Sequence, residues 1–209
     1  SVVLDGLATY YDVVGDGPPL LMYSPGGFDA SLDKWSTLGI YAQTGMLERL
    51  ARSYRCIVFD RRETGRSGGR VERITWDHYA EQGRALLDHL GIERSHLMGG
   101  CMGCSPVAAF AARYPERVQS LVLYWPAGGA RFRIRAHARF AAHLAYAEQE
   151  GLAGVVELAR QSARGFGQDP RQGPWAAPLR HDAAFAERYA AHDPEAYRLT
   201  VIGMLRALF

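Results

Sequence analysis

The sequence predicts an α/β protein: a mostly parallel sheet flanked by helices, followed by a purely helical segment. Three observations carry this. Short continuous apolar runs recur through the first 128 residues, among them Leu20-Leu21-Met22-Tyr23 and Cys56-Ile57-Val58-Phe59. They alternate with segments of helical spacing, the pattern of strands buried on both faces of a parallel sheet. No convincing strand follows residue 129, where four helical stretches replace the alternation.

Taken in order, residues 8–14 have strand propensity and stop at Gly15-Asp16-Gly17-Pro18, a turn cluster. Residues 20–23 form a strand ended by Ser24-Pro25-Gly26-Gly27. Residues 45–53 carry Met46, Leu47 and Leu50 on one helical face. The strand at 56–59 ends at Asp60. Thr75 reads as the N-cap of a helix over 76–90 that Gly91 closes. Residues 96–98 run as a strand into Gly99-Gly100, an Ala-rich helix spans 102–114, and residues 118–124 are a further apolar strand. Helices are expected over 130–150, 152–164, 183–191 and 194–208, with a Gly- and Pro-rich loop over 165–178. The expected organisation is a core over residues 1–128 and a helical unit over 129–209.

Composition narrows the function classes. The chain has 209 residues, 48% apolar and 22% charged, enough to build a sizeable core. Its 24 basic and 22 acidic residues leave a net charge of +2, which gives no footprint for nucleic acid. All the basic residues except Lys34 are arginine. The apolar runs are too short for a transmembrane helix. Three cysteines, Cys56, Cys101 and Cys104, make no disulfide framework and fit a reducing, cytoplasmic setting. A small-molecule substrate is expected, with neither nucleic acid nor membrane as partner. Oligomeric state is not legible, and a homodimer stays open.

The chemistry concentrates in Gly99-Gly100-Cys101-Met102-Gly103. This fits G-x-nucleophile-x-G between a strand and a helix. A sharp turn there holds the nucleophile in a strained conformation, and glycines two residues either side avoid backbone clashes. The nucleophile then sits at a helix N-terminus, where the dipole favours an anion and, for cysteine, the thiolate.

At these residues the sequence resembles the α/β-hydrolase superfamily, over residues 8–128. Ser24-Pro25-Gly26-Gly27-Phe28 is similar to the family's oxyanion loop, and Trp35 follows at the usual distance. The run from Asp60 to Ser67 resembles its D-x-R-G-x-G-x-S turn. Leu87-Asp88-His89-Leu90-Gly91-Ile92 resembles the helix end before the elbow strand, and Tyr114-Pro115-Glu116-Arg117-Val118 the exit from the elbow helix. The resemblance implies Cys101 as nucleophile, with oxyanion donors at Met102 and at Gly27 or Phe28. It implies an elbow framed by Gly99 and Gly103, and a cap or lid over residues 129–209. No metal or organic cofactor is implied.

The sequence also departs from the family pattern. Cys101 stands where most members have Ser, Pro25 where His is usual, and Glu63 where Gly is usual. The family's acid and histidine follow the last two strands, and no residue after Cys101 has that context. His137, His143, His181 and His192 all fall in the helical segment. The resemblance therefore implies a sheet lacking its last strands, with the acid and histidine supplied by a further C-terminal segment or a second polypeptide. Asp60 reads as a structural turn residue. Trp35 and Trp125 stand as pocket or packing residues, Trp175 likewise, and Arg131, Arg135 and Arg139 form a solvated basic face.

The expected activity is hydrolysis of a carboxylic ester, lactone or thioester through an acyl-enzyme. Two other readings remain: a non-catalytic binding protein on a hydrolase scaffold, and a thiol redox protein using the C-x-x-C pair Cys101 and Cys104.

Overall fold

The structure, a computed structural model, describes residues 1–26, 30–69, 72, 74–127 and 130–207. The chain divides into two compact units, one of residues 1–70 and 74–128, the other of 71–73 and 129–209.

The first unit opens with a hairpin that the sequence reading did not anticipate. Strands β1 (Val2–Leu4) and β2 (Leu7–Thr9) pair antiparallel around Asp5 and Gly6. Both turn residues have positive φ, 48° and 78°, the conformation that two-residue hairpin loops require. The expected strand over 8–14 is thus split at Tyr10, and β3 (Tyr11–Val14) joins a different sheet.

That sheet has the order β3-β5-β4-β6-β7, with β4 Pro19–Tyr23, β5 Arg55–Phe59, β6 Ser95–Gly100 and β7 Val118–Tyr124. β3 runs antiparallel to β5, and the other neighbours are parallel. Side chains alternate across it. Leu20, Met22, Cys56, Val58 and Met98 cluster with Trp35, Tyr41 and Leu47. The last three come from short helices α1 (Lys34–Thr37), α2 (Gly39–Gln43) and α3 (Met46–Leu50).

On the opposite face lies α4 (Trp76–His89), started by Thr75. The Thr75 hydroxyl accepts from the His78 amide at 3.4 Å, and His78 Nδ1 accepts from the Thr75 amide at 3.2 Å, so a histidine completes the capping box. Tyr23 donates its hydroxyl to the Tyr79 carbonyl at 3.0 Å. Gly83 lets the helix lie directly on that ring, since a Cβ there would collide with the Tyr23 hydroxyl. Beside α4 packs α5 (Cys104–Arg113).

β7 is the edge of the sheet and pairs only with β6 among the described residues. Its register sets Leu97 opposite Leu121, Met98 opposite Val122 and Gly99 opposite Leu123. Those three β7 side chains are 41%, 43% and 43% exposed, so apolar surface shows on both faces of the edge strand. An exposed apolar edge of this kind is a template for strand addition.

The second unit contains α6 (Ala130–Gln161), α7 (Ala176–His181), α8 (Ala183–Ala190) and α9 (Pro194–Ala207). The two helices expected over 130–150 and 152–164 are one element broken at Gly151, which has φ 73°. The loop expected over 165–178 holds the start of α7, whose proline lies within the first turn. Among the described residues, no helix is long and apolar enough to cross a membrane.

At the centre of this unit the His143 imidazole is fully buried. Its Nδ1 is 2.9 Å from the Arg171 carbonyl, which can only accept, so Nδ1 carries the proton. With the ring neutral, Nε2 accepts the Tyr197 hydroxyl at 2.5 Å, and Tyr197 accepts from Tyr189 at 2.9 Å. Burial favours this neutral ring. Burial holds the His143 pKa below its usual value, against a smaller opposing effect from the Arg171 carbonyl, and burial lowers that of His192 as well.

The unfolded chain then binds these protons first. The stability contributed is complete above about pH 6.5 and is lost as pH falls from there toward the lowered folded values. The thermal transition is expected to drop between pH 7.5 and pH 5.5, and to drop less in His143→Gln. Equal slopes for the two proteins would contradict this account.

Candidate active site

The site is built at the carboxyl end of β6. Cys101 has φ 51°, the left-handed region, and is followed by a single 3₁₀ turn, Cys101–Gly103, that leads into α5. Such a backbone costs a non-glycine residue about 1–3 kcal/mol. Tight packing on either side imposes it. A Cβ on Gly99 would press on the Gly103 carbonyl and stand 2.7 Å from Cys104 Cα. A Cβ on Gly103 would press on the Tyr23 carbonyl and stand 2.7 Å from that of Ser24. The two glycines are where the elbow passes over its own helix and over the end of β4. Cys101 is partly exposed, and Met102 follows it in the turn at the N-terminal side of α5.

The other cysteines are of a different kind. Cys104 is buried and donates its thiol to the Gly99 carbonyl at 3.1 Å. Burial, and then the charge of Cys101, push its pKa up to about 11. Cys56 lies in the sheet core, and burial pushes it to about 11 also. All three are free thiols.

Asp60 is buried and fully engaged. Oδ1 accepts the Leu32 amide at 2.7 Å, and Oδ2 accepts the Arg66 amide at 2.7 Å. It ties the turn after β5 to the chain entering α1, which is a structural task. Glu63, at the unusual position of that turn, has φ 61° and accepts Arg62 Nε at 3.0 Å.

Gly27 and Phe28 lie outside the described residues. Their neighbour Gly26 has φ 104°, and its carbonyl accepts Arg61 Nη2 at 2.5 Å. Arg61 is wholly buried, with its guanidinium 4.9 Å from the Tyr79 ring centroid. Burial lowers its pKa, while Tyr79, Tyr23 and Cys101 act in the opposite direction.

The two tryptophans offered as pocket residues are not alike. Trp35 is sealed in the core, with its ring 5.2 Å from Tyr41 edge to face, so it supports the site from below and forms no open wall. Trp125, with φ 55°, follows β7 and is 70% exposed. The sequence reading also missed Tyr41 and Arg61. Arg61 follows the strand-ending Asp60, a placement at the active edge of a parallel sheet that could have flagged it. Tyr41 carried no such signal.

Among the described residues, neither a histidine nor a carboxylate forms a hydrogen bond with Cys101. His143 is committed to Arg171 and Tyr197.

The strand–elbow–helix geometry matches a known family. A sequence model described as the alpha/beta hydrolase fold matches residues 19–153. The chain belongs to the alpha/beta hydrolase fold family. A non-heme haloperoxidase from Rhodococcus erythropolis is 32% identical over 120 residues, 57% of this chain and 40% of that protein. A bifunctional esterase/perhydrolase from Acinetobacter calcoaceticus is 32% identical over 112 residues, 54% of this chain and 38% of that protein. The matched segment thus spans about two-fifths of the length of these curated relatives. The enol-lactonase structure from Burkholderia xenovorans LB400 superposes with a TM-score of 0.65 at 19% identity, covering 97% of this chain and 72% of that one. This last likeness bears on the fold alone.

Proposed function

We propose that the protein is a hydrolase of carboxylic esters, lactones or thioesters that works through a Cys101 acyl-enzyme. The observation that carries the reading is Cys101 itself, a partly exposed thiol in left-handed backbone at the start of a helix. The relative named as an esterase/perhydrolase acts on the same class of bond.

In this reading the Cys101 thiolate adds to the carbonyl carbon and the carbonyl electron pair moves onto oxygen. The Met102 amide and an amide at Gly27 or Phe28 hold that oxyanion. The leaving alkoxide or thiolate departs and takes a proton from water. Water then adds to the thioester carbon, the carbon–sulfur bond breaks to restore Cys101, and the acid leaves as the carboxylate with its protons released to solvent. Esters and thioesters suit a thiolate better than amides, because their leaving groups need less protonation. Residues 129–209 serve as the cap that sets substrate choice, and the protein works in a reducing, cytoplasmic compartment on a small-molecule substrate.

The catalytic acid and histidine come from outside residues 1–209, carried by a further segment or by a second polypeptide that adds a strand to β7. The exposed apolar edge at Leu121, Val122 and Leu123 supports this, as does the lack of a histidine on Cys101 among the described residues.

The test is a panel of aryl esters with the unsubstituted protein and Cys101→Ala, with and without added imidazole. Turnover should depend on Cys101, and imidazole should accelerate it by standing in for the base. Equal activity in both proteins would remove Cys101 from the mechanism.

A further inference from the structure

We propose that the Tyr41 hydroxyl is a catalytic hydrogen-bond donor to the acyl oxygen of a substrate reacting at Cys101. It adds a side chain to the backbone amides that hold the oxyanion. The assignment rests on the acyl-transfer reading above and deepens it.

Position is the first argument. Tyr41 comes from α2, far from the elbow in sequence, and its ring is held edge to face by Trp35 at 5.2 Å and Tyr124 at 5.7 Å. A methyl group on Gly100 would stand 2.8 Å from the Tyr41 hydroxyl oxygen. The hydroxyl therefore abuts the residue immediately before the nucleophile, and Gly100 keeps that approach open.

Hydrogen bonding is the second. Tyr41 as a residue is only 5% exposed. Its hydroxyl oxygen is not among the sealed, unpartnered polar atoms of the core and forms no hydrogen bond with the described residues, so it faces open space. The hydroxyl is therefore open to a partner that arrives with the substrate. The Cys101 sulfur is not that partner in the resting protein. In this proposal an oxygen on the carbon newly bonded to that sulfur is the partner.

Protonation is the third. Burial, followed by the charges of Cys101 and Cys104, holds the Tyr41 pKa well above its usual value. The hydroxyl remains O–H throughout and acts as a donor, not a base. No proton is transferred: the bond strengthens as the oxyanion forms and weakens when the carbonyl is restored.

Acetylation of the unsubstituted 209-residue protein by p-nitrophenyl acetate tests this. Its leaving group departs as the phenolate, so acylation can be read without a catalytic acid. Tyr41→Phe keeps the ring contacts and should slow Cys101 acetylation roughly 100-fold, the usual effect of losing one oxyanion donor. Alkylation of Cys101 by iodoacetamide, which creates no oxyanion, should stay within about 2-fold of the unsubstituted rate. An unchanged acetylation rate would overturn the assignment. So would equal losses in both reactions, which would mean that Tyr41 acts through the thiol or the fold. If the unsubstituted protein is alkylated at Cys101 but never acetylated there, the acyl-transfer reading itself fails and takes this assignment with it.

Discussion

Gly103→Ala should cost the first unit most of its stability. The new methyl group would enter the space held by the Tyr23 and Ser24 carbonyls at the end of β4. Tyr23 is the last residue of a central strand, paired with β5 on one side and β6 on the other, and Ser24 follows it directly. Relief requires β4 or the elbow to shift, and neither can shift alone. Overpacking against side chains costs about 1–3 kcal/mol, and a clash with fixed backbone should exceed the upper end. Against a total of about 5–15 kcal/mol for a typical domain, the variant should unfold at much lower urea or accumulate as insoluble protein. Gly68→Ala is the control, because its methyl group would make ordinary contacts of 3.6 Å with Ala8. Equal urea midpoints for Gly103→Ala and the unsubstituted protein would show that the elbow packs less tightly than described.

Cys101→Ala should have the opposite profile. The side chain is partly exposed and its thiol forms no hydrogen bond with the described residues. The methyl group keeps the left-handed backbone and its strain. Stability should change by less than about 1 kcal/mol, while acyl transfer falls by at least about 10³-fold, the scale seen when a nucleophile is deleted. Cys101→Gly should lose activity equally and gain up to about 1 kcal/mol, since glycine adopts φ 51° without strain. Urea midpoints and aryl-ester rates on the same preparations check both halves. A variant that loses stability in step with activity would mean that Cys101 is a packing residue.

What the sequence revealed, and what it hid, follows from how each feature is encoded. The elbow was legible because its requirement is local: two glycines two residues from a nucleophile record backbone approaches that only a sharp turn makes. The central strands β4 and β5 were legible because strands covered on both faces read as unbroken apolar runs. The hairpin of β1 and β2 was not, because three-residue strands carry too little pattern. Helices α1 and α2 are four and five residues long, and no 3.6-residue period can be read over one turn. Tyr41 therefore stayed hidden, although folding brings it against Gly100. Trp35 was noticed for its spacing and offered as pocket or packing, which position alone cannot separate; its complete burial makes it a core residue. The break at Gly151 was visible as the gap between two helical stretches, and its positive φ is the physical cause.

The most direct test of Cys101 as the acyl carrier is chemical trapping. The protein is mixed with p-nitrophenyl acetate, quenched in acid within the first turnover, digested and mapped by mass spectrometry. The account predicts one acetyl group on the peptide containing Cys101, removed by neutral hydroxylamine as a thioester should be, with Cys56 and Cys104 unmodified. Release of p-nitrophenolate with the acetyl group on another residue, or with none on Cys101, would contradict it.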